Sequence, residues 1–171
     1  MNIMRKLFFV SIFLAFASIV GVAQNFSKLE SIPLKDSVDC KNAEPKVLEC
    51  ANYLLSTPCV EDRNSFLAFQ FLFKWMEGTK DYTFSLGNLL VSVSKTDKEL
   101  ARRFVTCMAK TAITEEPESC KDEEFIVKYL TTFAEYCENP KYKVRQSSFI
   151  KKLIKAKNDN TLAEFIRKES R

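Results

Sequence analysis

The sequence predicts an all-α protein, a single compact bundle of about six or seven helices behind an N-terminal leader. Three observations predict it. Glycine is scarce, with three in 171 residues and only Gly78 and Gly87 beyond the leader, whereas strand-turn-strand chains lean on Gly for backbone with positive φ. Apolar residues recur at spacings of three and four in one segment after another. An apolar content of 46 % with only five prolines excludes a disordered or low-complexity chain.

The leader comes first. Arg5 and Lys6 precede an apolar run from Leu7 to Val20, and Gly21 and Ala23 stand before polar Gln24-Asn25. A basic start, a short apolar stretch and small residues at −3 and −1 are the requirements of a secretory signal peptide. The run is shorter than the roughly 20 residues that cross a bilayer. The reading is a signal peptide over residues 1–23, cleaved after Ala23, and one helical domain over 24–171. The protein is then periplasmic or secreted, with no stable membrane span once the signal is removed; retention as an anchor is the alternative.

The elements follow in order. Phe26, Leu29 and Ile32 lead in. A helix is expected from about Glu44 to Leu55, with Pro45 at an early position and Pro58 beyond its end. The next, Asn64 to Glu77, is apolar nearly all round (Phe66, Phe69, Phe71, Phe73, Trp75, Met76), which marks a central helix, and Gly78 suits the position after its C-terminus. Tyr82 to Ser94 alternates in part like a strand, yet no other candidate strand exists to pair with it, so it is read as helix. Thr96-Asp97-Lys98-Glu99 reads as a capping box opening a helix to about Ala112. A helix from about Asp122 to Cys137 starts with carboxylates at the positive end of its dipole. A basic amphipathic helix spans about Val144 to Lys157, and Thr161-x-x-Glu164 opens a short last one.

All six cysteines (40, 50, 59, 107, 120, 137) follow the leader, and an even count in an exported chain suggests up to three disulfides. The gaps Cys50-x8-Cys59 and Cys107-x12-Cys120 each run from a helix into the next loop. Bridges 50–59 and 107–120 would pin two hairpins and leave Cys40 to Cys137. The alternative is that some cysteines are reduced and simply buried.

The chemistry is narrowed by what is missing. The chain has no His, which removes the commonest general base near neutral pH and the commonest zinc ligand. No phosphate-cradling Gly loop and no Cys-x-x-Cys pair occurs. No cofactor and no metal are expected. Carboxylates at Glu115, Glu116, Glu118 and Asp122 leave a carboxylate-based hydrolase as a third reading.

Charge is unevenly spread. Lys141 to Arg171 holds ten basic and three acidic residues, while 24–140 holds fourteen basic and nineteen acidic. The basic end can pair with the acidic stretch around Glu115 to Glu124 of the same molecule. It can instead meet an anionic partner, with Arg145, Lys151, Lys152 and Lys155 as contact residues. Nucleic acid is not expected, since the segment carries no recognised motif. The first functional reading is therefore an exported, non-catalytic protein that binds another macromolecule of the envelope, an immunity or inhibitor protein being one concrete form. The second is a carrier of an apolar small molecule or lipid within the bundle.

The six cysteines do not match insect odorant-binding proteins, whose second-to-third and fifth-to-sixth gaps are three and eight residues, against eight and sixteen here. The stretch from Phe73 to Phe84 (FKWMEGTKDYTF), with Val22-Ala23-Gln24, resembles uncharacterised exported helical proteins of the Bacteroidota. That resemblance implies a bacterial envelope or extracellular setting and supplies no activity.

Overall fold

The computed structural model describes residues 26–85 and 87–169, and the signal-peptide reading lies outside them. Among the described residues there is no strand: a 3-10 turn at Phe26–Ser31 leads into seven α-helices. These are α1 (Ser37–Ser56), α2 (Arg63–Gly78), α3 (Asn88–Ser94), α4 (Lys98–Glu115), α5 (Glu123–Glu138), α6 (Ser148–Asn158) and α7 (Leu162–Glu169), with a second 3-10 turn at Pro140–Tyr142. The all-α class and the helix count agree with the sequence reading.

Helix α1 starts seven residues before the expected Glu44, capped by Asp36, whose carboxylate accepts from the Asp39 N–H at 2.9 Å. Pro45 therefore lies inside the helix rather than in its first turn. An interior proline costs about 3 kcal/mol. The helix runs through it because Cys40, Ala43, Glu44, Val47, Cys50, Ala51 and Leu54 form one unbroken buried stripe. Starting the helix at 44 would strand the first third of that stripe.

Helix α2 matches its expected span but is not central. It buries Ala68, Phe71, Leu72, Trp75 and Met76, while Phe66 is 45 % exposed and Phe69 and Phe73 are half-buried. Phe69 stacks on Phe73 (centroids 5.7 Å apart), and Phe66 and Phe69 lie beneath the Arg102 guanidinium. The central element is α4, which packs against α1, α2, α3 and α5. Its inner face buries Leu100, Phe104, Cys107, Met108 and Ala112, and the Phe104 ring meets Tyr129 and Phe133 edge-on at 5.4 and 5.2 Å. Small Ala109 and Ala112 let neighbouring helices approach α4 closely, so this less apolar helix takes the middle. Gly78 is the last residue of α2 with no positive φ. It is needed for space: a Cβ there would stand 3.2 Å from the Cys40 sulfur.

The expected helix over Tyr82–Ser94 is shorter, starting at Asn88. Residues 82–85 lie outside any helix, with Tyr82 buried, Phe84 half-buried and Thr83 and Ser85 exposed, and the Tyr82 and Phe84 rings reach Trp75 at 5.9 and 6.1 Å. Of the strand-like pairs, Val91 and Val93 lie within α3, and Phe84 contributes to ring packing before it.

The capping box is also revised. Asp97 caps α4, accepting from the Leu100 N–H at 2.9 Å. Thr96 instead donates to the Ser147 hydroxyl at 3.0 Å, and Glu99 pairs with Arg102 at 2.6 Å. Asp97→Ala should lower stability by about 1 kcal/mol and Asp97→Asn by much less, read from urea midpoints. A silent Asp97→Ala would return the capping role to Thr96.

Candidate basic cleft

Two local features bring the basic C-terminal segment against the α3–α4 junction. Lys143 takes a left-handed backbone (φ 52°) after the second 3-10 turn, and the Gln146 amide donates to the Cys137 carbonyl at 2.8 Å. These fix the link into α6 against the end of α5. Ser147 then caps α6, its hydroxyl accepting from the Ile150 N–H at 3.3 Å and from Thr96. The two hydroxyls thus tie the start of α6 to the turn before α4.

Beside that tie lies an open cleft of about 380 Å³, lined by Ser92, Lys95, Thr96, Arg145, Ser147, Ser148, Phe149, Lys152 and Glu169. Of the four basic residues expected to act together, the fold places Arg145 and Lys152 here. Lys155 is tied to Asp159 at 2.5 Å, and Lys151 is exposed outside the cleft. Lys95 joins from the residue that ends α3, fifty residues earlier in the chain. The ammonium and guanidinium groups of Lys95, Arg145 and Lys152 make no ion pair among the described residues, whereas Lys157 is held by Glu138 and Arg167 approaches Glu123. Three uncompensated cations, four hydroxyls and one carboxylate around a concavity form an anion-receiving surface. Lys95, Ser92 and Thr96 were missed because no local pattern connects residues 92–96 to residues 145–152.

The acidic stretch does not neutralise the basic end as a block. Glu115 and Glu124 both pair with Lys128 (2.8 and 2.9 Å), Glu116 approaches Lys41, and, among the described residues, only Glu123 of this stretch makes an ion pair with the C-terminal segment, through Arg167 at 3.8 Å. Glu115, Glu118, Asp122 and Glu124 line one cleft of about 290 Å³ with Lys128 standing among them. The ammonium there turns the cluster from a pair of opposed acids into a salt-bridged surface.

The cysteines correct the disulfide expectation. All six are free, five of them buried and Cys59 half-buried. Cys50 sits in the core stripe of α1 rather than beside Cys59, whose environment is Arg103, Tyr136 and Cys137. Cys107 faces Cys137 across the α4–α5 contact instead of Cys120, which lies against Thr83. Cys40 is packed on Gly78, away from Cys137. Loop-to-helix spacing does not set which thiols meet; helix packing does. Burial pushes the Cys50 thiol up to about 12 and, against the pull of Arg103, the Cys59 thiol up to about 11. Burial raises Cys107 and Cys137 further, so these groups are protonated at neutral pH and behave as small apolar side chains.

Two pockets carry apolar lining, one of them against α2. One cavity of about 340 Å³ lies among Leu89, Leu90, Phe104, Met108, Ile126 and Tyr129, and another of about 300 Å³ between the first 3-10 turn and α2. Among the described residues no group of three or more His, Cys, Asp or Glu is arranged to hold a metal, and no helix is long and apolar enough to cross a membrane. No family model, curated protein or solved structure matches the chain.

Proposed function

We propose that this is an exported, non-catalytic protein that binds an anionic macromolecule of the envelope or extracellular space through the cleft between α3 and α6. One observation carries the reading. Lys95, Arg145 and Lys152 line a single concavity and make no ion pair among the described residues, whereas Lys155 and Lys157 of the same segment are paired. Holding like charges together unpaired costs stability through self-repulsion, and an anionic partner offsets that cost. The lack of His supports binding over catalysis. An immunity or inhibitor protein is one form such a partner-binding bundle takes. The second reading, a carrier of an apolar molecule, is favoured by the cavity beneath α3. That space is at the small end of the roughly 300–1,000 Å³ range of ligand sites.

The test separates position from net charge. Lys95→Glu, Arg145→Glu and Lys152→Glu combined should abolish salt-sensitive retention of the purified protein on immobilised polyanions. Lys35→Glu, Lys74→Glu and Lys80→Glu combined, an equal charge change at exposed sites elsewhere, should leave most of it. Equal loss in both would reduce the cleft to a share of diffuse charge and sink the reading.

A further inference from the structure

We propose that the cleft takes an acidic, partly apolar segment of a polypeptide, rather than a densely charged glycan or a lipid surface. This rests on the cleft being the binding site and adds the class of partner.

Three features distinguish the occupants. The first is Glu169, whose side chain lines the cleft together with the three cations. A sulfated polysaccharide or a phospholipid headgroup layer presents anions without compensating donors and is repelled by that carboxylate. A polypeptide offers backbone N–H groups alongside its acidic side chains and can satisfy Glu169 and the cations together. The second is apolar surface among the charges. Phe149 forms part of the cleft, and Val91, 49 % exposed, stands next to the cleft-lining Ser92 and four residues before Lys95, the residue that ends α3. Apolar and cationic groups side by side fit a peptide that alternates acidic and aliphatic side chains, and an exposed Val gains nothing from a polyanionic sugar. The third is shape. The cations line an open concavity in which Thr96 and Ser147 are hydrogen-bonded to each other. A planar membrane meets a convex or flat basic face, while a chain segment enters a cleft.

Lys95 and Lys152 approach the acidic side chains from the end of α3 and from α6, the Ser92 and Ser148 hydroxyls bond to the peptide backbone, and Val91 and Phe149 cover an aliphatic side chain.

The experiment compares three probes on the purified protein: a short labelled peptide of glutamate, leucine and alanine, a sulfated dextran oligosaccharide, and phosphatidylglycerol–phosphatidylcholine vesicles. Fluorescence anisotropy and co-sedimentation give the affinities. The peptide should bind most tightly. Lys95→Glu with Lys152→Glu should weaken it by about tenfold or more, as expected for losing and reversing two partly exposed ion pairs. Val91→Ser should weaken the peptide and leave the sulfated probe unmoved, and Glu169→Gln should improve the sulfated probe alone. Tighter binding of the oligosaccharide or the vesicles than of the peptide, or a peptide indifferent to Val91→Ser, overturns this inference while leaving an anion-binding cleft in place. Failure of all three probes to bind overturns the cleft reading itself.

Discussion

Trp75→Ala should lower unfolding stability by about 3–5 kcal/mol, the range for emptying a buried aromatic site. That is a large part of the roughly 5–15 kcal/mol available to a domain of this size. Trp75 is fully buried in α2, and its indole N–H donates to the Cys40 carbonyl at 3.0 Å. It is also the surface on which Tyr82 and Phe84 rest, and those two rings anchor the 82–85 segment to the bundle. The bond to Cys40 fixes the early part of α1, just ahead of the interior Pro45. Removal of the ring therefore loosens three elements at once. Trp75→Phe keeps most of the packing and loses one buried hydrogen bond, for about 0.5–1.5 kcal/mol. Since this is the only tryptophan in the chain, far-UV circular dichroism in a urea series is the appropriate readout. Equal losses in the two variants would show that packing contributes nothing beyond the bond.

Arg103 gives the second large effect, and its sign depends on the replacement. The side chain is fully buried in α4. Its Nε donates to the Tyr136 hydroxyl at 3.3 Å and one Nη to the Pro58 carbonyl at 3.1 Å, while the other Nη, also buried, has no partner. No carboxylate lies within ion-pair distance of it among the described residues. Arg103→Ala should cost roughly 2–4 kcal/mol by opening a void and freeing the Pro58 carbonyl that anchors the α1–α2 loop. Arg103→Met retains the aliphatic stem and removes a buried charge without an ionic partner. Because desolvating a charge costs several kcal/mol, this variant should recover most of the loss or exceed the parent. The measurement is again the urea midpoint at constant m-value. A methionine variant as unstable as the alanine one would mean that the guanidinium's two hydrogen bonds outweigh its desolvation.

Both effects bear on how much was legible beforehand. The pattern at α2 located its ends to within a residue, because Asp62, which caps it by accepting from the Ser65 N–H at 3.0 Å, and the apolar run are both local. Its aromatic richness misled about depth. Hydrophobicity says that a face prefers to be covered, not that enough neighbours exist to cover every side, and Phe66 and Phe69 are left beneath Arg102 instead. The central place of α4 went unseen for the converse reason: small residues such as Ala109 and Ala112 score as weakly apolar, yet close approach is what places a helix among several others. The burial of Arg103 has no sequence signature, since arginine at that helix position reads as a wet residue.

The candidate site divides in the same way. Arg145 and Lys152 stood out as part of a basic stretch, and Lys155 of the same stretch has an acidic residue four positions on at Asp159 and pairs with it along the helix. Lys95 and the hydroxyls around it became visible only when Thr96 met Ser147. The free thiols follow suit, because which cysteines approach one another depends on helix packing and not on the number of residues between them.

The all-α class, the positions of most helices and the accumulation of positive charge toward the C-terminus were determined by the sequence alone, because helical periodicity, capping and net charge are set by residues within a few positions of each other. Which helix is central, where the cysteines lie and which cations share a cleft were decided by the tertiary structure. Each of these depends on contacts between residues tens of positions apart, formed when whole helix faces compete for the same limited interior.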